Sequence, residues 1–395
     1  MQKLWQKSSK QRFDRDVEDY TVGEDYLLDR KLVLFDVEGS LAHARMLKKI
    51  GILTTSELKK LEKGLAEIAS LAHAGKFSIK KSQEDCHTAI EMFLTKKYGE
   101  AGKKIHTGRS RNDQILVTLR LYSKAKLREA QKAILGLIQA LKFKSKKCRG
   151  IPMPGYTHMQ RAMPSSVSMW LESFVESLED DLLLAKAVAK IIDQNPLGSA
   201  AGFGENILGL DRKFTSRLLG FARVQKNPMY CALSRGKFEW MVLQALSQIM
   251  FDLGKFASDL LLFTTKEFDF FSLPDAFRTG SSIMPQKKNY DVLELMRGNV
   301  GIFTGFQYQI QEVIKNLPSG YNRDFQLTKE PYLKALRLFL GTAKIATSVA
   351  VNLVAREKSL RAACSKELYA TDEVYRLVKK GLSFREAYRK IGLEF

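Results

Sequence analysis

Hydrophobic positions in this chain recur at helical spacing over long, uninterrupted stretches. The clearest runs from Trp240 to Phe263. It is mostly apolar, and its polar residues Gln244, Gln248, Asp252, Lys255 and Asp259 fall at steps of 4, 4, 3 and 4. That spacing draws one narrow polar stripe along an otherwise apolar helix. The stretch is long enough to be mistaken for a membrane span, but two Asp and a Lys along it argue against lipid burial. It reads instead as a helix packed among other helices, in a large bundle or an oligomer core. Between 165 and 194, Val167, Trp170, Leu171, Phe174, Val175, Leu178 and Leu182 repeat the i, i+3, i+4 pattern. Long helices also fit 113–143, 288–314 and 332–355.

Proline placement supports the same division. All nine prolines lie between Pro152 and Pro331, separated by long proline-free intervals. Because proline breaks helices, these positions mark connections. No alternating strand–helix pattern, GxGxxG or phosphate-binding loop is present, so the sequence predicts an all-α fold. The expected organisation is an N-terminal helical domain over 1–105, a central long-helix bundle over 106–355 and a short C-terminal helical domain over 356–395. In the last, Gly381 stops one helix and Ser383 with Glu386 forms a capping-box pattern for the next.

Composition narrows the classes. Among 395 residues, 45% are apolar and 27% charged, which excludes disorder as the main theme. Lys+Arg minus Asp+Glu is 64 − 43 = +21. Such a charge bears on association and solubility rather than fold. Its densest cluster, KFKSKKCR at 142–149, falls at an expected helix end, where cations suit the dipole. A solvated basic surface is therefore the plainer reading, and neither nucleic acid nor membrane is the expected partner. Cys86, Cys148, Cys231 and Cys364 are scattered singly, without a CxxC pair. That argues against a zinc or redox motif. The N-terminus MQKLWQKSSKQRFDRD lacks the apolar core of a secretory signal. A reducing cytoplasm is the expected location.

Four polar segments fall between the long helices. HTGRSRNDQ at 106–114 holds His, Thr, Ser, Asn, Gln and two Arg directly before a helix. Asn112 or Asp113 could simply cap that helix, but a cap needs one such residue. Ser, Asn and Arg at a helix start form a ready anion site. GYTHMQRAMP at 155–164 sets Thr157 beside His158, with Gln160 and Arg161 close by. A lone His is usually structural; this one is among only five in the chain and sits in a polar, motif-like setting. GSSIMPQKKNYDVLELMRGN at 280–299 joins a Gly-Ser-Ser turn to Pro285, two Lys and Asn289. It is poor as helix or strand before Asp291. A solvated loop would not need Ile283 and Met284, which could anchor it as a lid. GYNRDFQLTKEP at 320–331 reads by itself as an ordinary connection.

GSSIMPQKKN resembles the signature loop of the fumarase/aspartase superfamily, and QKK after MP resembles its argininosuccinate lyase branch. HTGRSRNDQ, GYTHMQRAMP and YNRDFQLTKEP resemble that branch at three further places, DVEGSLAHARMLKKIGILT at 36–54 in its N-terminal domain and GLSFREAYRKIG at 381–392 in its C-terminal one. The resemblance covers nearly the whole chain in the family's order. It implies reversible β-elimination of argininosuccinate to arginine and fumarate, as in arginine biosynthesis, with no metal or organic cofactor. It also implies a homotetramer whose sites are shared between subunits. Ser281 corresponds to the catalytic base. Lys287 and Asn289 would stabilise the dianionic aci-carboxylate, and His158 paired with Glu294 would serve the leaving-group side. Ser110, Arg111, Asn112 and Thr157 match substrate-carboxylate contacts. Tyr321, Gln326 and Lys329 match positions holding the rest of the substrate, and His87 in EDCHTAIE matches a further active-site histidine.

The chain departs from the family pattern in places. NPMYCALSRG at 227–236 keeps Asn227, Met229 and Arg235 but carries Tyr230, Leu233, Ser234 and Gly236 where the pattern has polar or acidic residues. Asp25 replaces a Ser, Met163 a Gln and Tyr290 a Pro, and the chain stops at Phe395, where family members usually continue. These changes bear on the end that recognises the arginine moiety. Two other readings follow: a lyase of the same mechanism with altered substrate or impaired activity, and a non-catalytic structural or nucleic-acid-binding protein. The intact set Ser281, Lys287, Asn289, His158 and Glu294 argues against the last.

Overall fold

A computed structural model describes residues 14–394. Most of the N-terminal stretch read above for a signal segment, residues 1–13, and Phe395 lie outside the described residues. Helices dominate, as the apolar spacing requires. The N-terminal region contains α1 (Val33–Lys49), α2 (Thr55–His73) and α3 (Cys86–Tyr98). Five long helices follow: α4 (Arg111–Lys147), α5 (Val167–Ile192), α6 (Lys237–Phe263), α7 (Asp291–Ile314) and α8 (Lys329–Asn352). Each lies within a few residues of its expected span. The chain ends in α9 (Ala370–Lys379) and α10 (Phe384–Gly392). Gly381 takes φ 102° between them, and both hydrogen bonds of the Ser383–Glu386 capping box form. None of the described helices is long and apolar enough to cross a membrane.

Residues 152–166 form a β-hairpin, not anticipated in the helical reading. Strand β1 (Pro152–Thr157) pairs antiparallel with β2 (Gln160–Ser166). Pro152, Pro154 and Pro164 keep this segment out of the helical ladder. The two-residue turn is His158–Met159, with φ 52° and 61°. Positive φ at both central residues is the type I′ requirement, met here without glycine.

The chain divides into two compact units. Among the described residues, the first comprises 14–128, 185–244 and 305–337; the second comprises 129–184, 245–304 and 338–394. In the first, Arg120 is fully buried on α4. It donates to the Ile192 and Gln194 carbonyls at 3.1 and 3.0 Å and to Ser234 Oγ at 3.2 Å, and stacks 4.2 Å from the Phe238 ring centroid. In the second, Trp170 stacks on Phe256 and packs against Phe271, and its ring N–H donates to Asp259 at 2.9 Å. The apolar residues of α6 are largely covered within the chain: Val242, Leu246, Ile249, Leu253, Phe256 and Leu260 are all buried. The stripe residues Gln248 and Lys255 are exposed, as their spacing predicts.

Candidate active site

The first unit gathers six of the expected residues on one cleft. His87 comes from the first turn of α3, Arg111 and Asn112 from the first turn of α4, Tyr321 and Gln326 from the segment leading into α8, and Lys329 from the start of α8. The cleft has an empty volume of about 480 Å³ and is also lined by Asp25, Glu84, Asp85, Arg235 and Arg323. Ser110 is not among the lining residues. Its hydroxyl accepts from Asn112 N–H at 3.3 Å, and its own N–H donates to Asp113 at 2.9 Å, a reciprocal cap at the start of α4. Asp113 also accepts from the Gly198 and Ala200 N–H groups. The cap and the cleft residues thus share one short segment.

Three cations at the cleft, Lys329, Arg111 and His87, have carboxylate partners. The buried Lys329 ammonium lies 2.6 Å from Asp29 and 3.2 Å from Asp25. Burial pushes this ammonium down, but the two carboxylates outweigh it and hold the group charged, above its ordinary range. For Asp25, burial prevails over the pull of Lys329 and pushes the carboxyl up. Arg111 donates to Glu84 at 2.6 Å and to Thr88 Oγ1 at 2.7 Å. Glu84 has φ 69° and ψ −49°, and the flanking Asp85 N–H donates to the Gln83 carbonyl at 2.8 Å. This is a γ-turn with positive φ, a strained conformation of the kind that concentrates at functional sites.

Below the cleft, His87 Nδ1 donates to the buried Asp36 carboxylate, which also accepts from Ser40 Oγ at 2.8 Å and from the Cys86 thiol at 3.5 Å. Burial pushes the Asp36 carboxyl up, but His87 and Arg109 outweigh it and hold it below the usual range. Burial likewise pushes His87 down, and Asp36 more than reverses it. Both shifts favour the charge-separated form of the pair. Asp29, Cys86 and His87 lie close together. Asp29 has Lys329, burial keeps the thiol protonated, and His87 Nδ1 has Asp36.

The second unit carries Ser281, Lys287, Asn289, Thr157, His158 and Glu294. Ser281 Oγ accepts from Met284 N–H at 3.0 Å and from Ile283 N–H at 3.3 Å. Two donors on one hydroxyl oxygen favour its anionic form. The Ser281 loop is pinned at its base. Strand β3 (Thr279–Gly280) pairs with β4 (Lys288–Asn289), and Thr279 Oγ1 donates to Asp291 at 2.5 Å. The Arg278 guanidinium donates to the Tyr290 hydroxyl at 3.0 and 2.9 Å. Tyr290, a departure in the sequence, is thus an anchor of this loop. Lys287, Thr157, His158 and Glu294 are exposed. Within one chain His158 and Glu294 are not brought together; no hydrogen bond or ion pair joins them among the described residues.

Other departures have local reasons. Gly236 takes φ 74°, and a Cβ there would lie 2.3 Å from Ile314 Cγ2, so only glycine fits. Ser234 is buried as the Arg120 acceptor. Arg235, matched by resemblance but given no role, lines the cleft and lies 5.6 Å from the Tyr321 ring centroid. Its survival in NPMYCALSRG was the available signal. Asp36 and Glu84 lay inside quoted motifs, and nothing in their spacing pointed to a role.

A family model described as Lyase matches residues 3–305. A Thermotoga neapolitana protein named argininosuccinate lyase is 44% identical over all of this chain and 98% of its own length. One of the same name from Phocaeicola vulgatus is 42% identical, over all of this chain and 87% of its own. Among solved structures, an EDDS lyase in complex with formate aligns with a TM-score of 0.83 at 26% identity, covering 95% of this chain and 74% of that one.

Proposed function

The chain belongs to the argininosuccinate lyase family, and from that premise we propose that it splits argininosuccinate reversibly into arginine and fumarate by a serine-base elimination. The observation that carries this reading is the convergence of His87, Arg111, Asn112, Tyr321, Gln326 and Lys329 on one cleft. These groups suit a substrate rich in carboxylates and hydrogen-bonding nitrogen. Ser110 and Thr157 complete the carboxylate contacts in this reading, Ser110 through the α4 cap that orients Arg111 and Asn112.

The proton to be removed lies on a carbon beside a carboxylate and is weakly acidic. Ser281 takes it, its oxyanion favoured by the Ile283 and Met284 N–H groups. The carbanion spreads into the neighbouring carboxylate. Lys287 and Asn289 supply positive charge and a donor for that dianion on the same loop. His158, paired with Glu294 from another copy, protonates the departing nitrogen. Both side chains are exposed on a single chain, which leaves them open to such a pairing.

Assembly is part of the same proposal: a homotetramer with sites shared between subunits. The apolarity of α6 no longer argues for it, since the chain covers most of that helix. The argument passes to other long helices, where Met169, Leu183, Leu295, Ile302, Tyr308 and Val351 are exposed. Four unpaired cysteines, three of them buried, support a reducing cytoplasm.

The same elimination on an altered substrate is a second reading. It is favoured by Asp25, which sets a carboxylate in the cleft against Lys329 where the family pattern has Ser. Purified protein given argininosuccinate should release fumarate, followed by its ultraviolet absorbance. No fumarate from argininosuccinate, with release from another fumarate adduct of an amine, would favour the second reading over the first.

A further inference from the structure

The segment HTGRSRNDQ contains an arginine that the proposed reaction does not use. Arg109 is buried and donates to Ser40 Oγ at 2.9 Å. Ser40 Oγ in turn donates to Asp36 at 2.8 Å, and His87 Nδ1 meets the other Asp36 oxygen. Asp36 and Ser40 stand one turn apart on α1, and His87 opens α3. Every donor in this chain of contacts points towards Asp36. The opposite ring nitrogen, His87 Nε2, is buried without a hydrogen-bond partner among the described residues, on a residue that lines the cleft. A buried ring nitrogen on a cleft-lining residue is costly unless a ligand atom meets it.

We propose that Asp36 is a positioning residue: it fixes the His87 ring through Nδ1 and keeps Nε2 as a charged N–H donor for an anionic group of the substrate. The alternative is a neutral ring, whose Nε2 lone pair would attract a cationic group instead. The surroundings favour the charged ring. Asp36 faces it from α1, Asp29 from the segment before α1, and Asp85 from the cap of its own helix; the Cys86 thiol donates to Asp36. The opposing groups lie in and just before the first turn of α4: His106 and the ring act on each other directly, Arg109 acts on Asp36 as well as on His43, His106 and Asp113, and Arg111 is engaged by Glu84. Burial pushes His87 down, and Asp36 reverses it.

Asp36→Asn keeps the shape and removes the charge. Nitrogen NMR on histidine-labelled protein should show His87 charged at pH 7 in the natural chain and neutral in Asp36→Asn. With argininosuccinate, kcat/KM of the variant should fall roughly 10- to 100-fold at neutral pH, the range for losing a charged hydrogen bond. The deficit should shrink as the pH falls towards 6 and the ring recharges. On a His87→Gln background, Asp36→Asn should add less than a further two-fold. A loss that is independent of pH and additive with His87→Gln would make Asp36 merely structural and overturn the proposal. So would a neutral His87 in the natural chain, which decides the matter even where Asp36→Asn does not fold. The kinetic arm rests on the proposed reaction, whereas the ring titration does not. If the natural chain releases no fumarate, the reaction is wrong, and the charge on His87 is still tested.

Discussion

The cleft of the first unit and the Ser281 loop of the second handle charge in opposite ways. In the cleft, Lys329 lies between Asp25 and Asp29, Arg111 is on Glu84 and His87 is on Asp36, so the fold itself has met the desolvation of these groups. In the second unit, Lys287, His158 and Glu294 are exposed, and order is concentrated at the loop base, where Arg278 holds Tyr290. In the proposed reaction this contrast separates recognition from chemistry: the preorganised cleft would fix substrate geometry beforehand, whereas the groups assigned to proton transfer would be completed by the proposed assembly.

Removing the base should give the largest effect. Ser281→Ala should lower kcat by ~10²–10⁴-fold, the usual worth of a positioned general base, with the thermal midpoint unchanged. Near-full activity in this variant would remove the chemical role from the loop. Lys329→Met probes the other side. It leaves Asp25 and Asp29 without their buried cation and should destabilise the protein by about 3–5 kcal/mol in urea unfolding. A variant as stable as the parent would mean that the cleft charges are not coupled as described.

Gly236→Ala should cost about 1–3 kcal/mol, because φ 74° and the approach of Ile314 leave no room for a Cβ. An unchanged urea midpoint would show the cleft wall to be more compliant than its geometry implies. The smallest effect is a pH dependence. His87, raised in the fold, adds stability below its unfolded value and loses it as pH rises through the folded one. Asp36, lowered in the fold, adds stability above its unfolded value and loses it as pH falls. The pair should therefore stabilise most between about pH 4 and 6.5. Urea midpoints of the parent minus those of the Asp36→Asn, His87→Gln double variant should differ most in that window; a flat difference would contradict the ion pair.

Much of the fold was legible because long helices announce themselves through apolar spacing. The stripe Gln244 to Asp259 located α6, and Ser383 with Glu386 located the start of α10. The hairpin at 152–166 was not legible, because three prolines mark a break without saying what fills it. The cleft was legible where motifs matched, at His87, Arg111, Asn112, Tyr321, Gln326 and Lys329. Arg235, Glu84 and Asp36 escaped because their roles depend on neighbours distant in sequence: Tyr321, Arg111 and His87 respectively. Gly236 and Tyr290 looked like losses against the family pattern. Each has a local steric or hydrogen-bonding reason that composition does not reveal.

The most direct test of shared sites mixes two inactive chains. Ser281→Ala and His158→Asn should each be inactive alone. Denatured together in equal amounts and refolded, they should regain roughly a quarter of parental turnover if each site draws its loop and its hairpin from different copies of a symmetric oligomer. No recovery, in mixed oligomers whose composition and mass are verified by light scattering, would contradict the account.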